Sequence, residues 1–135
     1  MSQYQAPLRD IAFVQKELFK IEQYFQKTDC WQEMNGELID AVLGEAAKFC
    51  EKVLAPLNAI GDSEGCQWND GVVTTPAGFK EAYKQYVEGG WPALEGDEEF
   101  GGQNFPKSIS IAVTEMCGTS NWSWSMYPGL SHGAC

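Results

Sequence analysis

The sequence predicts an all-α fold, a helical bundle of about four to five helices. Two observations carry that reading. Apolar residues recur at intervals of three and four in at least four separate segments, and no convincing pair of alternating apolar–polar runs suited to a sheet occurs anywhere. Proline, glycine and asparagine mark the joints between those segments.

From Asp10 to Tyr24 the positions Ile11, Val14, Leu18, Ile21 and Phe25 step along one face of a helix, with Lys16, Glu17, Lys20 and Glu22 largely off it. Pro7 precedes the run, where its missing N–H removes no helical hydrogen bond. A second helix is expected from Glu37 to about Asn58. Its stripe of Ile39, Val42, Ala46, Phe49 and Val53 is widened by Leu38, Leu43, Cys50 and Leu57, the pattern of a central helix with several neighbours. Pro56 is expected to end or kink it, by removing a donor and crowding the preceding turn. Residues 61–79 read as a loop, with a turn at Asn69-Asp70-Gly71 and a very short extended piece at Val72-Val73-Thr74.

Thr75 and Pro76 have the form of an N-cap and a first helical residue. The third helix carries Phe79, Tyr83, Tyr86 and Val87. Gly89-Gly90 supplies its left-handed stop, after which Trp91 and Leu94 are expected to fold back onto the core. The stretch EEFGGQNFPKS, Glu98 to Ser108, sets two adjacent glycines between Phe100 and Phe105. The glycines read as a sharp reversal and the two phenylalanines as pins on either side of it. Pro106 opens a fourth helix with Ile109, Ala112, Val113 and Met116 on one face, and Gly118 or Asn121 marks its break. A fifth, aromatic-rich helix is expected from Asn121, disturbed at Pro128-Gly129. The tail from Trp122 to Leu130 holds Trp122, Trp124, Met126, Tyr127 and Leu130, more apolar area than one exposed helix should show. It is expected to be mobile or to drive self-association, and replacing Trp124 and Tyr127 by Ser is expected to reduce association without unfolding.

A length of 135 residues suits one domain, 1–135, and 44% apolar with 21% charged residues is ordinary for a folded chain. The net charge of -10 excludes wrapping a nucleic-acid backbone or lying on an anionic membrane, both of which need a basic face. Five cysteines, Cys30, Cys50, Cys66, Cys117 and Cys135, are odd in number and form no C-x-x-C pair. They fit neither a disulfide framework nor a zinc site and point to a reducing cytoplasm. The start lacks the order of a signal peptide, and no run is long enough to span a bilayer. The ending WSWSMYPGLSHGAC reads as cut from something longer.

No catalytic constellation stands out. His132 is the sole histidine, so a metal cluster is not expected, and it has no nucleophile elbow beside it. No cysteine is flanked by cations, and Cys50 and Cys117 read as buried and inert. Asp97, Glu98 and Glu99 read as an exposed acidic loop, and Gly101-Gly102 is no dinucleotide fingerprint, since no strand precedes it.

The order of segments is one that a known family shares. AYKQYVEGGWPALEGDEEFGGQNFPKSISIAVTEM resembles the N-terminal helical domain of flavin-dependent acyl-CoA dehydrogenases. The match lies in Gly90-Trp91, then Glu99-Phe100-Gly101-Gly102, then a helix ending at Glu115. YQAPLRDIAFVQKELF, within an N-terminal extension over residues 1–35, and MYPGLSHGA are similar to the branch that includes methylmercaptopropionyl-CoA dehydrogenases. The resemblance covers essentially the whole chain.

It implies dehydrogenation of an acyl-CoA thioester between Cα and Cβ, with hydride passing to FAD. It also implies that Trp124, Tyr127, Pro128 and His132 contribute to the substrate pocket; packing between helices is an equally good reading of these aromatics. The family's middle β-domain and C-terminal helical domain, which supplies the base, have no counterpart in the sequence. The chain alone is therefore expected to hold no FAD and to be inactive. Its implied partners are the acyl-CoA substrate and the remaining dehydrogenase domains, in a homo-oligomer. A free-standing helical interaction module that kept the scaffold and lost the chemistry is the alternative.

Overall fold

The computed structural model describes residues 4–133; Met1–Gln3, on which the signal-peptide reading begins, and Ala134 and Cys135 lie outside the described residues. Helix α1 (Leu8–Ala12) passes directly into a π-helical stretch, Phe13–Leu18, and α2 (Glu22–Phe25) follows after a turn. Helix α3 (Gly36–Phe49), a second π-helical stretch (Cys50–Leu54) and α4 (Ala55–Glu64) form one uninterrupted rod. Strands β1 (Gln67–Asn69) and β2 (Val72–Thr74) make an antiparallel hairpin with Trp68 opposite Val73. Helices α5 (Phe79–Glu88), α6 (Lys107–Ser120) and α7 (Trp122–His132) complete the chain. The fold is all-α, with that short hairpin as the sheet among the described residues.

The core is a single cluster. Ile39, Leu43, Ala46 and Ala47 of α3 face Ile109, Ala112, Val113 and Met116 of α6. Cys50, Leu54, Phe79, Ala82 and Trp124 extend the same apolar mass toward α5 and α7. Asn35 starts the central rod, its side-chain oxygen accepting the Leu38 N–H at 3.0 Å, which satisfies one donor the first turn leaves open. Of the wide stripe read from the sequence, Ile39, Leu43, Ala46 and Cys50 are buried, Phe49 packs on Tyr86 and Trp124, and Leu38 stays exposed.

Six helical bodies are present among the described residues, where four to five were expected, because the N-terminal segment is not one helix. It breaks at Lys20, which sits at φ 52°. The π-helical stretch before that break also turns its stripe. The wider i→i+5 repeat brings Gln15 inward and leaves Val14 and Leu18 exposed. The segment is tied to the bundle by polar bonds instead. Tyr4 Oη donates to the Met116 carbonyl at 3.2 Å, the Ala6 N–H to Glu51 Oε1 at 2.9 Å, Gln15 Nε2 to the Ser108 carbonyl at 3.0 Å, and Trp31 Nε1 to the Asn104 carbonyl at 2.7 Å.

Pro56 does not end the central helix, one of the two outcomes expected for it. A proline ring collides with the carbonyl four residues back, and here that residue, Lys52, lies in the π-helical stretch, where the wider turn gives the ring room. The helix therefore runs to Glu64, and the loop expected from Gly61 begins at Gly65. Helix α5 starts at Phe79, after Gly78 in the left-handed region, rather than at Thr75-Pro76. Its stop at Gly90 (φ 76°) and the return of Trp91 and Leu94 to the core match the expectation. Pro128 sits inside α7 without ending it.

The EEFGG loop departs from the sequence reading in an instructive way. Phe105 packs against the core, but Phe100 is 86% exposed and pins nothing. The glycines are needed for two different reasons. Gly101 stands at φ 81°, with open space around it. Gly102 rests directly on the backbone of Gly96, where an added Cβ would lie 2.0 Å from the Gly96 carbonyl carbon. That approach lets the returning strand of loop bond back to the outgoing one, Gln103 N–H to the Ala93 carbonyl at 2.8 Å, Asn104 to Gly96 at 2.9 Å and Phe105 to Leu94 at 2.9 Å.

The aromatic tail is likewise split. Trp124 is fully buried, its ring edge-on to Tyr86 (centroids 5.4 Å apart) and Phe49 (5.9 Å), its Nε1 donating to the Phe79 carbonyl at 3.2 Å. The exposed apolar residues are Trp122 (70%), Met126 and Leu130 (69%), spaced four apart on the outer face of α7. The substitution that suited the sequence reading, Trp124→Ser, would therefore empty the core.

Two outcomes follow. Gly101→Ala should cost about 1–2 kcal/mol in urea unfolding, the strain of a left-handed alanine, whereas Gly102→Ala should cost about 3 kcal/mol or more because backbone must move. Equal costs would show that the Gly96–Gly102 approach is not held in solution. Light scattering should show less association for Trp122→Ser/Leu130→Ser at unchanged thermal midpoint, while Trp124→Ala should lose about 3–5 kcal/mol of stability.

Candidate functional site: the groove between α6 and α7

Helices α6 and α7 are joined by one buried residue. Asn121 accepts the Trp124 N–H at 3.0 Å through its side-chain oxygen, capping α7, and donates through Nδ2 to the Leu54 carbonyl at 3.1 Å, at the end of the π-helical stretch. The chain thus turns sharply, and the two helices diverge around an open cavity of about 560 Å³. Ile111, Thr114 and Gly118 of α6 and Trp122, Ser125 and Pro128 of α7 form its sides. Trp91, Leu94, Val113, Cys117 and Tyr86 form its floor. Gly118 closes one end by default: a Cβ there would lie 3.2 Å from the Trp122 ring, so glycine lets the indole lie across α6.

The other end is polar. Glu95, 17% exposed in its side chain, receives three donors from two elements: Lys107 and Ser110 of α6 and His132 of α7, the last at 2.7 Å. Burial opposes charge on this carboxyl, but the hydrogen bonds from Lys107 and Ser110 and the charges of Lys107 and His132 outweigh it and hold the pKa below its ordinary value. The groove therefore ends in a cluster in which Lys107 is matched by Glu95. Tyr86, at the floor, is held protonated by burial, which pushes its pKa well up. Among the described residues no group of three or more His, Cys, Asp or Glu could hold a metal ion. No helix of the described residues is long and apolar enough to cross a membrane.

The four residues singled out in the sequence are divided by α7. Pro128 and His132 face the groove. Trp124 is sealed in the core. Tyr127 lies on the hairpin side, its ring edge-on to Phe79 with centroids 6.0 Å apart and its hydroxyl 3.2 Å from Cys66 Sγ, a contact that raises the Tyr127 pKa. The sequence reading missed Glu95, Lys107 and Ser110, and it assigned Trp122 to the exposed tail without a pocket role. A signal was present: Lys107, Ser110, Ile111, Thr114 and Gly118 follow helical spacing on the face of α6 opposite its apolar stripe.

No family model matches the chain. Two curated relatives do. The chain is 37% identical over 131 residues to the 3-methylmercaptopropionyl-CoA dehydrogenase of Ruegeria pomeroyi, covering 97% of this chain and 22% of the relative. It is 32% identical over 136 residues to the butyryl-CoA dehydrogenase of Syntrophomonas wolfei subsp. wolfei, covering 98% of this chain and 22% of the relative. The chain thus spans about a fifth of the length of the curated relatives it matches.

Glu95→Gln should destabilise the chain at neutral pH and erase part of its acid sensitivity. A carboxyl with a depressed folded pKa contributes stability that is present above its ordinary value of 4.5 and lost as pH falls through the lower folded value. The gap between parent and variant in thermal midpoint should accordingly be widest near neutrality and narrow below pH 4.5. A gap that stays constant across that range would mean the carboxylate is not engaged as described.

Proposed function

We propose, from the premise that its curated homologues are acyl-CoA dehydrogenases, that this chain is the N-terminal helical part of such an enzyme and that the α6–α7 groove forms one wall of its acyl site. The observation that carries the reading is the groove itself. It is open, about 560 Å³, walled by Ile111, Trp122, Leu94 and Pro128, with the Glu95–Lys107 pair at one end and exposed Glu115 on its solvent side. Its apolar walls suit a hydrocarbon chain while the Glu115 carboxylate stays in water. Pro128 and His132 touch the groove directly; Trp124 and Tyr127 serve by fixing α7 against α5 and the hairpin.

In the complete enzyme FAD would accept the hydride as the acyl group loses its α- and β-hydrogens. We assign no flavin site to the groove: a dinucleotide diphosphate needs helix-start N–H groups or uncommitted cations, and Lys107 beside the groove is engaged by Glu95. FAD and the base are therefore assigned to the remaining domains, and this chain's part is to exclude water, shape the acyl wall and hold its polar end neutral. We further place the enzyme in the cytoplasm as a homo-oligomer, in keeping with its thiols and acidic balance.

In the enzyme carrying this segment, Ser125→Trp should fill the groove. The expected result is a fall of about tenfold or more in kcat/KM for an octanoyl thioester, with butyryl-CoA changed less than about twofold. An equal loss at every chain length would remove the groove from the acyl site. The isolated chain should retain no yellow colour after gel filtration with FAD and should reduce no dye with butyryl-CoA. Either activity would overturn the assignment of the chemistry to other domains.

A further inference from the structure

We propose that Cys50 and Cys117 are a peroxide-responsive dithiol, closing to a disulfide that staples the π-helical stretch to α6 beneath the groove. The two Sγ atoms lie 3.7 Å apart, on residues 67 positions distant in the chain, and both thiols are free. Bond formation requires the sulfurs to approach to about 2.05 Å. The sequence offered no hint of the pair, since nothing in the spacing links the two positions.

Access selects the oxidant. Cys50 is fully buried and Cys117 is 6% exposed, yet Cys117 forms part of the groove floor. A bulky disulfide such as oxidised glutathione cannot reach either sulfur, whereas hydrogen peroxide fits. The two thiols also act on each other. The hydrogen bond from Cys117, helped by Ser120 and opposed by burial, lowers the Cys50 pKa; the same bond and burial raise that of Cys117, so Cys50 is the first of the two to ionise.

The chemistry balances. Cys50 releases its proton, and its thiolate, held by the Cys117 S–H, attacks one peroxide oxygen reaching it past Cys117. An S–O bond forms, the O–O bond breaks, and the departing hydroxide takes up the proton that Cys50 released, giving water. Cys117 then attacks the Cys50 sulfenic sulfur. The S–S bond forms, the S–O bond breaks, and the departing hydroxide takes the Cys117 proton as a second water. Two thiols lose two hydrogens and two electrons, and one peroxide becomes two waters. The exposed cysteines behave differently: Cys30 and Cys66 face solvent, so their oxidation gives sulfenic acid or links between molecules. This inference stands apart from the acyl reading of the groove and survives its failure.

The test uses the full chain with Cys30, Cys66 and Cys135 replaced by Ser, so that the pair alone remains. Dilute hydrogen peroxide should remove two hydrogens from the intact mass, reversibly with dithiothreitol, and peptide mapping without reductant should recover a Cys50–Cys117 cross-link. The thermal midpoint should rise by about 5–10 °C on closing so long a loop, and Cys117→Ser should abolish all three effects. Mapping the same linkage in the unsubstituted chain keeps the test valid if the variants fold poorly. A sulfinic acid at Cys50 with no cross-link, or thiols that stay unreacted until the chain is denatured, would overturn the proposal.

Discussion

The arrangement of this chain depends on the side chain of Asn121. It reaches from the α6–α7 corner into the interior and satisfies two needs together: an open N–H of α7 and a carbonyl of the central rod. Without it the corner would leave backbone donors buried and unmatched, at a cost comparable to the loss of several hydrophobic contacts. With it, Trp124 enters the core at a fixed angle, three aromatic rings gather on its faces and edges, and α7 is held away from α6 by the width of the groove. The groove is thus less a property of its lining than of the joint that opens it.

How much of this was legible in advance differs by element. The stripe on α3, the α6 face of Ile109, Ala112, Val113 and Met116, and the glycine stop of α5 follow from side-chain periodicity and backbone preference, and they are where expected. Two of the errors, at Val14 and at Pro56, share a cause. Periodicity assumes a uniform turn, and two π-helical stretches break that assumption, moving the inward face from Val14 to Gln15 and making room for Pro56. At the site the same division holds. Residues on α7 could be named from sequence, but which side of α7 each occupies was decided by Asn121. Glu95 became part of the site only because a loop brings it to Lys107 and His132.

The relatives add a constraint of scale. Similarity to two acyl-CoA dehydrogenases extends along nearly all of the chain yet touches about a fifth of each of them. The inherited part is therefore the helical scaffold. Its exposed apolar ridge of Trp122, Met126 and Leu130 is continuous with the groove wall at Trp122, so whatever lies against that ridge also bounds the site.

Glu95 is covalently adjacent to Gly96, and Gly96 carries the weight of Gly102. Contact between two backbones leaves no flexible side chain between them, and hydrogen bonds from residues 103, 104 and 105 to the Ala93, Gly96 and Leu94 carbonyls flank Glu95 on both sides. The carboxylate that gathers the groove's polar end is thus registered by the main chain of a loop and not by the packing of its own stem.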